Sequence, residues 1–143
     1  MDLHLLKTKD FDFWTHMNTR WNDMDSLGHV NHTAYLSYME TARVDIYSQL
    51  GYEGINKSMD ESTILANVEV TYLAQLSHPS SLKIGHRIIR VGTKSYDLIS
   101  GVFLNSDDTL LCSAYFKLVS FNYNKNKSIF VPEKIRKNCR PIS

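Results

Sequence analysis

The sequence predicts an α+β fold in which one long helix packs on an antiparallel sheet of about five strands. Three observations carry this. Between Asn31 and Leu50 apolar residues recur every three or four positions. From Thr63 onward the pattern shortens to alternation among β-branched and aromatic residues. The last strand-like runs are joined by short connections, which suit antiparallel neighbours rather than parallel crossovers.

Taken in order, Trp14–Trp21 (WTHMNTRW) alternates Trp14, His16, Asn18 and Arg20 against a more apolar Thr15, Met17, Thr19 and Trp21, a first strand. The helix follows, with Tyr35, Tyr38, Met39, Ala42, Ile46 and Leu50 on one stripe and Glu40 spaced to pair with Arg43. Gly51 sits where a helix ends, since it takes left-handed angles without a Cβ penalty. After the polar connection NKSMDES comes TILANVEVTYLAQL, with Val68, Val70 and Tyr72 on one face, broken by Pro79. Three more strands are expected in LKIGHRIIRV, SYDLISGVFLN and LLCSAYFKLVSFNY, the last two joined by the hairpin candidate SDDT. A short helix is expected in PEKIRKNC, with Pro132 at its first position. Phe116 and Leu118 alternate with Tyr115, Val119 and Phe121, so the sheet is apolar on both faces. One helix covers one face, and a second subunit is expected to cover the other.

The chain has 143 residues, 43% hydrophobic and 22% charged, which suits one globular domain over 1–143. A net charge of +1 gives no broad field to attract nucleic acid. Cys112 and Cys139, the only cysteines, form no disulfide framework or zinc spacing and read as inert apolar residues. The opening MDLHLLKTKDFDFW has too short an apolar run for a signal peptide, and no stretch is long enough to span a membrane. The cytoplasm is the expected location.

Chemistry concentrates just before the helix. Residues 22–32 hold Asn22, Asp23, Asp25, His29, Asn31 and His32. Three readings compete. As metal ligands, the DMDSLG run echoes a calcium loop, but its fifth and twelfth positions hold Leu27 and Ala34, which offer no side-chain oxygen; no HExxH-like spacing supports zinc or iron. As caps, Asn31 or Thr33 can bond first-turn amides, and Gly28 permits a sharp turn. As a catalytic site, a helix N-terminus presents free N–H groups to a developing oxyanion. A carboxylate across the glycine turn can then attack an acyl carbonyl or activate water. No G-x-S-x-G elbow is present.

The stretch DMDSLGHVNHTAYLSYMETAR resembles the D-x-D-x-x-G-x-V-x-(N/H)-x-x-Y…E-x-x-R signature of hot-dog-fold acyl-CoA thioesterases, the 4-hydroxybenzoyl-CoA thioesterase-like group. The likeness continues through ILANVEVTYLAQLSHPSSLKI, GTKSY and the closing strand near FVP, covering roughly residues 12 to 135. It implies a hot-dog fold, a homodimer or homotetramer with active sites between protomers, and an acyl-CoA substrate, with acyl carrier protein as the other candidate donor. It implies no cofactor and no metal. Asp25, the second aspartate of D-x-D, takes the catalytic carboxylate's place, and His32, seven residues on, matches a histidine implicated in one bacterial subgroup. That subgroup carries a tyrosine where this chain has Trp21. Asn31, Lys94 and Arg90 are the substrate-binding candidates: Asn31 at the helix start, Lys94 at a position that contacts the nucleotide in hydroxybenzoyl enzymes, and Arg90 nearby. The neighbouring arginines of those enzymes are replaced here by Gly92 and Thr93.

The resulting expectation is thioester hydrolysis with Asp25 as nucleophile or general base and the helix N-terminus as oxyanion site. The alternative is a non-catalytic sensor of acyl-CoA or acyl carrier protein.

Overall fold

Every strand pair in the computed structural model is antiparallel, and the sheet order β1-β3-β4-β5-β2 departs from chain order at both ends. The structure describes residues 1–53 and 58–142. The strands are β1 (Phe13–Asn18), β2 (Ser62–Tyr72), β3 (Ser81–Val91), β4 (Ser95–Leu104) and β5 (Leu110–Asn122). A two-residue β6 (Lys127–Ser128) adds to β5. The long helix α1 (His32–Gln49) and a single turn α2 (Glu133–Arg136) complete it. This is the expected hot-dog arrangement, a helix held by a five-stranded antiparallel sheet. Among the described residues no helix is long and apolar enough to cross a membrane.

Boundaries shift slightly from expectation, for local reasons. β1 ends at Asn18, and Trp21–Asp23 forms a 3-10 turn instead of extending the strand. α1 runs between an Asn31 cap and Leu50, with Gly51 at φ +106° just beyond. Pro132 is the cap of α2 rather than its first helical residue. Of the polar connection, Asn56 and Lys57 lie outside the described residues.

The period-2 alternation sends Leu82, Ile84, Tyr96, Leu98, Phe116 and Leu118 toward α1, where they meet Tyr35, Met39, Ala42 and Ile46. Each fully buried side chain of this size contributes about 1.5–3 kcal/mol. Arg43 does not pair with Glu40; its guanidinium lies over the Phe116 ring, 5.0 Å from the centroid.

Part of the opposite face is covered by the chain itself. Leu3, Leu6 and Phe11, from two 3-10 turns and the stretch after them, pack on Ile89, Ile99 and Phe103. Tyr115, Val119 and Phe121, the outer-face residues over which a second subunit is expected, stay only half-buried in the single chain. The strap is anchored by polar bonds as well. Ser113 donates to the carbonyl of Leu3 at 2.7 Å, and Arg87 donates to the carbonyls of Asp10, Arg140 and Pro141 at 3.2, 2.7 and 2.6 Å.

Candidate active site

The two aspartates of the D-x-D motif are in opposite environments. Asp23 closes the 3-10 turn and is 6% exposed. Its carboxylate accepts from the Tyr38 hydroxyl at 2.6 Å, the Arg20 amide at 2.8 Å and the Arg20 guanidinium at 3.2 Å. Burial acts to raise its pKa, but these three donors outweigh it and hold the carboxyl below its ordinary range. Tyr38 is pushed upward, by burial first and then by the Asp23 charge.

Asp25 is exposed in the single chain. Its Oδ1 accepts from the Leu27 amide at 2.8 Å and the His29 amide at 3.4 Å, while its own amide donates to the His29 carbonyl at 2.8 Å. Met24 and Val30 form a single antiparallel bridge, so the loop between them is pinched at its stem. Gly28, at φ +84°, makes the reversal. The stem is tied down by Asn31 N–H to Asp23 C=O and by Val30 N–H to Leu76 C=O, both 2.7 Å. The Asp25 loop is thus held beside the N-terminus of α1.

At that terminus Asn31 is the cap: its Oδ1 accepts from the Thr33 amide and hydroxyl, each at 3.0 Å. Its carbonyl takes the Ala34 amide at 2.9 Å. Of the two capping candidates, Asn31 does the work and Thr33 receives it. The amide of His32 precedes both bonded amides. The His32 ring is exposed and meets Tyr72 edge-on at 6.1 Å, and the Tyr72 hydroxyl donates to the His32 carbonyl at 3.1 Å. Trp21, at the position where one subgroup has tyrosine, is turned to solvent, with its ring edge-on to His78 at 6.4 Å.

Asp25, Asn31 and His32 are therefore neighbours, whereas Lys94 and Arg90 are elsewhere in the chain. Tyr72 pairs with Cys112 on β5, and Ser95, next to Lys94, pairs with Val119, seven residues further along that strand. At strand spacing that is about 23 Å. Lys94 lies in the β3–β4 turn with its ammonium 5.7 Å from the Phe130 ring centroid. Arg90 is bonded to Asp97 at 2.8 Å.

Sequence reasoning left Asp23 with no role beyond the metal-ligand reading of DMDSLG and counted Tyr38 only as apolar stripe. The available signal was chemical: a tyrosine on a buried helix face needs a partner for its hydroxyl. Cys112 is buried, and burial raises its thiol pKa to about 12; burial also raises that of Cys139. Among the described residues no three His, Cys, Asp or Glu side chains are grouped as a metal site.

Comparison with known proteins agrees with this architecture. Residues 19–139 match the profile of the thioesterase-like superfamily, and the chain belongs to that superfamily. The PA2801 protein from Pseudomonas aeruginosa, named as a candidate thioesterase, is 34% identical with a TM-score of 0.79, over 87% of this chain and 95% of that one. The SAV2348 protein from Staphylococcus aureus, solved in complex with CoA, shares the fold at 17% identity and a TM-score of 0.77, over 92% and 87%. YsmA, an uncharacterised protein of Bacillus subtilis (strain 168), is 27% identical over 88 residues. That match takes in 62% of this chain and spans 58% of YsmA.

Proposed function

From membership of the thioesterase-like superfamily we propose that this protein hydrolyses acyl-CoA thioesters to a free acid and CoA. The observation that carries the reading is the pairing of a carboxylate loop with a helix start: Asp25 on the loop pinched at Met24 and Val30, and the His32 amide at the opening of α1. The thioester carbonyl oxygen rests on that amide, where the helix dipole and N–H favour the negative charge that develops. Asp25 attacks the carbonyl carbon, or takes a proton from a water that does, and the C–S bond breaks to release the CoA thiolate, which is then protonated; in the first case water hydrolyses the resulting acyl–Asp25 anhydride to give the free acid and restore the carboxylate. Asn31 keeps the first turn in place, and the His32 ring stands at the mouth of the site.

Coenzyme A is the donor favoured, supported by the CoA complex of the SAV2348 protein in the same fold. With Lys94 about 23 Å along β5 from the Tyr72 end of the sheet, the reading assigns its contact with the CoA phosphates to a second copy. β2 ends the sheet with an unpaired edge, a template for such pairing. The functional unit is then a homodimer or homotetramer.

The test is thiol release from short, medium, long and aromatic acyl-CoAs, and from acyl carrier protein, by wild type and Asp25→Asn. The variant should keep its circular dichroism and lose at least about a hundredfold in turnover. Tight binding of acyl-CoA by the wild type without thiol release would instead select the sensor reading.

A further inference from the structure

Tyr38 occupies a core position on α1 where phenylalanine would fill the same space, and its ring packs edge-on against Tyr35 at 6.1 Å. Among the described residues its hydroxyl bonds to the Asp23 carboxylate, 2.6 Å away. Asp23 in turn holds Asn31 through its carbonyl at 2.7 Å. One residue thereby joins three things: the cap of α1, the second turn of α1, and the stem of the loop that carries Asp25. Asp25 is two residues beyond, a reach of at most about 7 Å.

The carboxylate of Asp23 is buried and filled by three donors, so it is in no position to meet a substrate. A buried, hydrogen-bonded charge adds little net stability over an apolar pair of similar volume. Its contribution is geometric. The bonds within the Asp25 loop shape it internally, whereas its attitude over the helix is set at the stem, by Asp23 on one side and Val30 bonded to Leu76 on the other. We propose that Asp23 and Tyr38 are positioning residues, a strut that sets the Asp25 carboxylate against the N-terminus of α1. This inference rests on the reading of Asp25 given above.

The experiment is steady-state hydrolysis of an acyl-CoA by the full chain as wild type, Tyr38→Phe, Asp23→Asn, Asp25→Asn and the Tyr38→Phe/Asp25→Asn double variant, with melting temperatures for each. Tyr38→Phe is the conservative probe, since it removes one oxygen and leaves the packing. It should lower kcat about tenfold or more, because displacements near 1 Å cost up to about a hundredfold. KM should stay within about twofold and the melting temperature within a few degrees. Asp23→Asn should shift kcat in the same direction. In the double variant Tyr38→Phe should add nothing to the loss from Asp25→Asn, because it acts through that carboxylate.

Wild-type kcat in Tyr38→Phe overturns the strut, as does an undiminished Tyr38→Phe effect in the Asp25→Asn background. If Asp25→Asn itself keeps wild-type kcat, the Asp25 assignment and the strut fall together. If Asp25→Asn collapses while Tyr38→Phe does not, only the strut falls.

Discussion

Arg90 holds Asp97 through both edges of the carboxylate, Nε to Oδ2 at 2.8 Å and Nη2 to Oδ1 at 3.2 Å. The Asp97 side chain is 3% exposed, and the Tyr115 hydroxyl donates to it as well. Burial acts to raise the Asp97 pKa, but Arg90 and Tyr115 outweigh it and keep the group ionised below its ordinary range. Burial, and then the neighbouring carboxylate, push Tyr115 up to about 12. An arginine first considered for the substrate is thus engaged in neutralising a buried charge.

Arg90→Gln should therefore act on stability rather than on substrate affinity. Removing one partner of a buried pair leaves the other charge uncompensated, a cost of about 3 kcal/mol toward the lower end of the usual range because Arg90 is half-exposed. Urea unfolding should show the loss while KM for acyl-CoA stays unchanged. A raised KM at unchanged stability would return Arg90 to the substrate.

The N-terminal strap depends on a glycine notch. Gly85 and Gly101 are register partners on β3 and β4, and Phe11 lies across them. A Cβ on Gly85 would sit 2.6 Å from the Phe11 ring, and one on Gly101 would sit 2.8 Å from it. Gly85→Ala should cost about 1–3 kcal/mol by overpacking. In the Phe11→Ala background the added cost should shrink, since the two residues are in contact. Additive losses in denaturant melts would show that the clash is relieved elsewhere.

His86 predicts a pH dependence with a definite sign. It is fully buried on β3 opposite Ser100, and among the described residues neither its ring nitrogens nor the Ser100 hydroxyl has a hydrogen-bond partner. Burial, with a smaller contribution from the Arg43 charge, pushes its pKa down to about 3. The unfolded chain takes up this proton near pH 6.5 and the folded chain does not. Stability from this group is therefore lost as pH falls below 6.5, by about 1.4 kcal/mol per unit, until about pH 3. Asp23 and Asp97 do not account for that window, because their lowered pKa values put their losses below 3.8. Urea midpoints measured from pH 7 to 4.5 should fall for wild type and flatten for His86→Leu. Parallel slopes would remove His86 as the cause.

Much of this was readable before any coordinates. The 3.6-residue stripe located α1 within a residue at each end, and alternation located β3, β4 and β5 within about a residue while overrunning the ends of β1 and β2 by three and four, because both periods are local properties of the chain. The capping role of Asn31 and the turn at Gly28 also followed from local chemistry. The closing strap was missed because Leu3, Leu6 and Phe11 have no shared period; only their common contact with the outer face relates them.

The sequence by itself determined the element types, the apolar faces, and the gathering of Asp23, Asp25, Asn31 and His32 ahead of one helix. Alternation states which face a side chain takes but not which strand lies beside it, so the placement of β2 next to β5, and of Lys94 far from His32, came only with the tertiary structure. The same holds for the motif's two aspartates. They are chemically identical and two residues apart, and only folding separates them: one is buried because a helical tyrosine arrives to donate to it, and the other stays on an open loop.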